Sequence, residues 1–190
     1  MTDYIILGDT ETNGLDEKES SLLEVAFLVA DRDLNVLAKA SWLWPSSCGP
    51  ERVTELYSRT HPKVQAMHNE NGLWQDLYNG VAEGVTDETV IQQIIATFAQ
   101  IGVSRNSPTE LVGRNPNFDL RFLQQYASPI YDLFSYHIID ICSFQRFIGK
   151  THGRDAEYQY PKGKPHRAID DCVGELEELK YYRDNYMVRI

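Results

Sequence analysis

The stretch Tyr4-Ile5-Ile6-Leu7-Gly8-Asp9-Thr10-Glu11-Thr12-Asn13-Gly14-Leu15 decides how the rest of the chain is read. A short apolar run leads straight into two carboxylates spaced two apart and then into an Asn-Gly pair. Such a run fits a buried central strand. Side chains on a strand alternate between faces, so Asp9 and Glu11 project from the same face. Two carboxylates held together resist joint ionisation unless a cation shares them. Oxygen-only ligands suit Mg²⁺ or Mn²⁺. Taken alone, Asp-x-Glu reads as an ordinary solvated strand end entering a turn, and it gains meaning only from what other segments add.

Working outward, Leu22–Ala30 is a second strand candidate. Asp31-Arg32-Asp33 forms a polar turn, and residues 35–43 return as a third strand. Tight connections between the three suggest an antiparallel meander. Residues 45–50 are a Ser/Gly/Pro-rich loop. Val90, Ile91, Ile94, Ile95 and Phe98 recur at helical spacing after a capping stretch at residues 86–88. Leu111-Val112-Gly113 is a short strand, and beyond Pro116 a helix carries Phe118, Phe122, Leu123 and Tyr126 on one face. Ile138 and Ile139 lead to Asp140, the expected cap of a helix that runs to Ile148 and ends at Gly149. Residues 151–165 are expected to be a mobile polar loop. A last helix begins near Ala168, with Val173, Leu176 and Leu179 on one side. A meander followed by alternating helix and strand predicts a mixed α/β sheet flanked by helices, and residues 1–190 are read as one domain.

Composition narrows the function. An apolar fraction of 42% and a charged fraction of 24% fit a soluble globular chain. The first residues carry no basic region, which argues against a signal peptide, and no apolar run approaches the roughly 20 residues needed to span a bilayer. Cys48, Cys142 and Cys172 are odd in number and lack metal-ligand spacing, so reduced thiols and a cytoplasmic location are expected. The net charge is −10. Proteins that track long nucleic acids usually carry a basic footprint. Either this chain does not bind nucleic acid, or it engages few phosphates and lets cations bridge them.

Two further segments favour the second choice. Asn115-Pro116-Asn117-Phe118-Asp119 places Asp119 early in a helix, and His166-Arg167-Ala168-Ile169-Asp170-Asp171 sets a histidine before a helix with carboxylates in its first turn. Separately, these are a residue favouring the positive end of a helix dipole, two helix-start residues and a surface histidine. Together they resemble the DEDDh exonuclease family, the group of proofreading exonuclease subunits and oligoribonucleases. That pattern is Asp-x-Glu, an Asp in a helix, then His-x4-Asp, and it matches Asp9, Glu11, Asp119, His166 and Asp171. The resemblance implies an RNase H-like fold, a mixed five-stranded sheet of an antiparallel meander followed by parallel strands. It also implies 3′→5′ exonuclease activity with two divalent ions, Mg²⁺ or Mn²⁺, held by Asp9, Glu11, Asp119 and Asp171. His166 would be the general base, since an imidazole exchanges protons near neutral pH. The spacing selects Asp171 over Asp170, which is expected to help cap its helix. The preceding Tyr158-Gln159-Tyr160-Pro161-Lys162-Gly163-Lys164 suits phosphate attraction and base stacking, and reads equally well as a solvated loop.

The likeness to oligoribonucleases goes further. Leu15 occupies the position of a leucine that wedges between bases. His68, in Met67-His68-Asn69-Glu70-Asn71-Gly72-Leu73, matches a histidine that packs against the terminal nucleotide. Phe134-Ser135-Tyr136-His137-Ile138-Ile139-Asp140 resembles a stretch that donates a tyrosine across a dimer interface, so Tyr136 and a homodimer are implied. Thr10, between the paired acids, joins them as a substrate-binding candidate. Three positions depart from the pattern: Lys63 replaces an aromatic residue, His137 an arginine and Cys142 a hydroxyl residue. Loss of a guanidinium fork weakens bidentate phosphate recognition. The expected substrates are 3′ ends of short or single-stranded RNA or DNA. Beside this stand a general single-strand exonuclease without short-RNA preference and an inactive nucleic-acid-binding module.

Overall fold

The computed structural model describes residues 4–161 and 166–187. A five-stranded sheet has the order β3-β2-β1-β4-β5. β1 (Ile5–Thr12), β2 (Leu22–Ala30) and β3 (Val36–Leu43) form the antiparallel meander, and β4 (Thr109–Gly113) and β5 (Phe134–Asp140) run parallel to β1. The expected RNase H-like mixed sheet is therefore the one observed.

Alternation sorts the strands onto two cores. Ile6, Val25, Phe27 and Val29 face one cluster, which α4 (Asp87–Gln100) and α5 (Pro116–Tyr126) complete with Ile94, Phe98, Phe122 and Leu123. Leu7, Ala26, Leu28 and Ala30 face the other, which α8 (Ala168–Tyr186) covers with Ala168, Cys172 and Leu176. Every residue of β2 is buried. A strand covered on both faces reads as a near-continuous apolar run, here broken only by Glu24, and its ends are legible for that reason. Gly8 is required by packing: a Cβ there would lie 2.8 Å from Leu111 and Phe27 side-chain atoms.

Several expectations are corrected. β1 extends beyond the apolar run to Thr12, so Asp9 and Glu11 lie within the strand and share a face, as expected. Residues 50–79, left without elements by the periodicity, form α1 (Pro50–Arg59), α2 (Pro62–Glu70) and α3 (Leu73–Asn79). A short α6 (Ser128–Tyr131) follows α5. α7 (Ile141–His152) is capped by Asp140 as expected, but it passes through Gly149 and ends at Gly153, whose φ of 95° is the left-handed geometry glycine accepts. Beyond it Ala156 is buried and the Tyr160 hydroxyl donates to Glu178, whereas residues 153–155, 159 and 161 are exposed. Residues 162–165, including the two lysines expected to attract phosphate, lie outside the described residues. Asp170 does not cap α8. Arg167 takes that position, and Glu24 from β2 accepts the Ala168 amide at 3.1 Å. Among the described residues no helix is long and apolar enough to cross a membrane.

Candidate active site

The site sits at the carboxyl end of β1, beside the junction where β4 gives way to α5. Asp9 and Glu11 leave β1 on the face covered by α8, and Asp171 meets them from the first turn of that helix. One carboxylate oxygen from each lies within 4.8 Å of the others. Asp119 arrives from α5 and is fixed by Thr10, whose amide and hydroxyl donate to the same Asp119 oxygen at 2.9 and 2.7 Å. Thr10 points to the opposite face from its two acidic neighbours, so one strand segment presents two carboxylates and also orients a fourth.

Electrostatics makes these groups costly as bare anions. Burial pushes the Asp9 carboxyl well above the usual range, with Asp119, Glu175, Glu11 and Asp171 adding repulsion. Burial also lifts Glu11 to about 9, reinforced by Asp171 and Glu24 and opposed by Arg167. Asp119 is raised by burial to about 7 against the hydrogen bonds from Thr10 that pull it down. Hard oxygen donors converging at one strand end, with Asp9, Glu11 and Asp119 resisting their own charge, fit a divalent cation, which reverses these preferences.

His68 is fully buried and lies at this strand end, its Nε2 3.1 Å from the Thr12 carbonyl and 3.8 Å from a Glu11 oxygen. A carbonyl can only accept, so Nε2 carries the proton. Burial depresses the His68 pKa, which favours this neutral form. His166 is exposed just before α8, and its carbonyl accepts a hydrogen bond from Asn71. Leu15 is 81% exposed on the turn after β1, which excludes a core role for it. Tyr136 is 88% exposed on β5, the edge strand, separated from β1 by β4. It stands apart from the carboxylates of its own chain.

Four residues escaped the sequence reading. Glu175 is buried one helical turn beyond Asp171, where i,i+4 spacing on α8 could have revealed it. Glu24 lies opposite Glu11 in the β1–β2 register. Arg167 binds Glu24 through two nitrogens at 3.1 and 2.9 Å and Asp76 at 2.7 Å. Asn71 holds His166.

No family model matches the chain. It is 28% identical to an oligoribonuclease of Haemophilus ducreyi over 184 residues, covering 97% of this chain and 94% of that protein. It is 27% identical to the mitochondrial oligoribonuclease of Mus musculus, covering 97% of this chain and 74% of the other. The fold superposes on E. coli exonuclease I bound to single-stranded DNA with a TM-score of 0.68 at 14% identity, and on exonuclease I of Methylocaldum szegediense with 0.62 at 17%. These matches cover 98% and 96% of this chain, which spans about two-fifths of either exonuclease I chain (41% in both). Along nearly its whole length, then, the chain is similar to oligoribonucleases in sequence and has the RNase H-like fold of exonuclease I.

Proposed function

We propose that this chain is a single-domain, metal-dependent 3′→5′ exonuclease that removes nucleoside 5′-monophosphates from the 3′ ends of short or single-stranded RNA or DNA. The observation that carries the reading is the convergence of Asp9, Glu11 and Asp171 oxygens within 4.8 Å, with Asp119 fixed beside them by Thr10. Two divalent cations, Mg²⁺ or Mn²⁺, held by the four carboxylates would polarise the scissile phosphate, activate water and stabilise the departing 3′ oxygen. The chain's own groups do the rest. Thr10 keeps Asp119 aimed, while His166 accepts the proton of the attacking water at its ring nitrogen. Leu15 presents an exposed apolar side chain to a base. His68 closes the strand end as a neutral ring.

A ladder assay on labelled RNA and DNA oligomers with Mn²⁺ tests this directly. Stepwise shortening from the 3′ end is expected, and no shortening with either metal would overturn it. Leu15→Ala is expected to raise KM about tenfold with kcat little changed, because losing roughly 1.4 kcal/mol of apolar contact weakens binding without touching the chemistry. An equal KM would remove Leu15 from substrate binding.

A homodimer is the second element of the proposal. Tyr136 and Ile139 on the edge strand β5 and Phe147 on α7 are all exposed, a side of the sheet suited to covering by a second copy. Light scattering at micromolar concentration is expected to give twice the chain mass, and a monomer would exclude Tyr136 from a neighbouring site. Lys63 and His137 favour a broader length range over strict dinucleotide preference. The ratio of rates on dinucleotides and long oligomers decides between them.

A further inference from the structure

Asn71 occupies the C-cap of α2, one residue before the Gly72 cap of α3. Its side-chain orientation is fixed by its partners. Oδ1 accepts the Leu73 amide at 2.9 Å, so Nδ2 must be the atom that faces His166 and His68. Nδ2 donates to the His166 carbonyl and lies 3.4 Å from His68 Nδ1. Because His68 Nε2 already donates to Thr12, Nδ1 presents a lone pair toward that amide. A continuous polar path therefore runs from the end of β1, next to Glu11, through His68 and Asn71 to the main chain of His166.

The other side of His166 is anchored as firmly. Arg167 grips Glu24 with two nitrogens and Asp76 of α3 with a third, and the Ala168 amide binds Glu24. The His166 backbone is thus held between two tethers, both reaching α3, whereas its ring stays exposed. A general base on a connecting segment loses rate when its backbone drifts, because an ångström of misplacement can cost on the order of 100-fold.

We propose that Asn71 is a positioning residue for the general base, setting the His166 main chain relative to the carboxylate cluster through a side-chain amide. This rests on the exonuclease reading and on His166 as base.

Asn71→Asp separates the two jobs of the side chain. Aspartate still accepts the Leu73 amide, so the start of α3 is kept, but it offers no donor to the His166 carbonyl. Asn71→Ser keeps the same cap without adding charge. Both variants are expected to lower kcat about 10- to 100-fold, with KM for an oligonucleotide and Mn²⁺ affinity within about twofold of wild type and melting temperature little changed. Introduced beside His166→Ala, either should lower the rate no further, because residues acting as one unit are not additive. A wild-type rate in Asn71→Asp and Asn71→Ser, beside a crippled His166→Ala, sinks the positioning role alone. So does an equal loss in the presence and absence of His166. If His166→Ala itself runs at the wild-type rate, the assignment of the base fails and the positioning role with it.

Discussion

Asp9→Asn is expected to lower kcat by ~1,000-fold or more and, at the same time, to raise the melting temperature of the metal-free protein at pH 8. The first effect follows from removing an anionic ligand at the point where three carboxylates converge; every ~1.4 kcal/mol of lost transition-state stabilisation costs tenfold. The second follows from burial. Asp9 lies well above the usual carboxyl range, Glu11 near 9 and Asp119 near 7. Groups with folded-state pKa values above their unfolded values contribute stability that is complete below about pH 4. That stability is lost as pH rises through the folded values, so the metal-free protein should weaken progressively between about pH 4 and 9.

An asparagine of the same shape removes one charge from this set. A gain of about 2 kcal/mol would raise the melting temperature by ~5 °C in a chain of this size. Added Mn²⁺ should stabilise the wild type and reverse its pH trend, because the cation favours the ionised carboxylates, and it should do little for Asp9→Asn. Melting curves from pH 4 to 9 with chelator and with Mn²⁺ read all three. A variant that melts lower than wild type at pH 8 in chelator, or that still degrades oligonucleotides, contradicts the site.

His166→Ala carries the second large effect, a fall in kcat of ~10²- to 10⁴-fold, the usual range for loss of a positioned general base. The side chain is exposed, so folding should be nearly unaffected. KM and Mn²⁺ affinity should also hold, because His166 is not among the converging oxygen ligands. Single-turnover cleavage of a labelled oligomer measures the chemical step, and isothermal titration with Mn²⁺ measures the site. Parallel losses of rate and metal affinity would assign His166 to the metal site and remove it as base.

The contrast between legible and illegible features follows how local their causes are. β2 was readable because burial on both faces makes every position but Glu24 apolar. The Thr86 cap of α4 was readable because its partner Thr89 is three residues away. α1 and α2 were not, because Pro50 and Pro62 stand at their first positions and proline reads as a break unless the helix beyond it is already known. Asp9, Glu11 and Asp171, whose oxygens the fold brings together, could be singled out because they stand in short motifs of set residue type and spacing. Asn71 and Arg167 could not. Their partners lie 95 and 143 residues away, at His166 and Glu24, so only the fold joins them. Glu175 is an intermediate case, at readable helical spacing from Asp171 but indistinguishable in sequence from the neighbouring glutamates of α8.

Anomalous diffraction at the manganese edge, from crystals soaked with Mn²⁺ and a nucleoside 5′-monophosphate, bears most directly on the site. Two peaks roughly 4 Å apart are expected, each roughly 2.1 Å from oxygens supplied by Asp9, Glu11, Asp119 and Asp171, with the phosphate between them. Manganese bound elsewhere, or carboxylates that remain without an ion at saturating concentration, would contradict the assignment of this cluster as the catalytic centre.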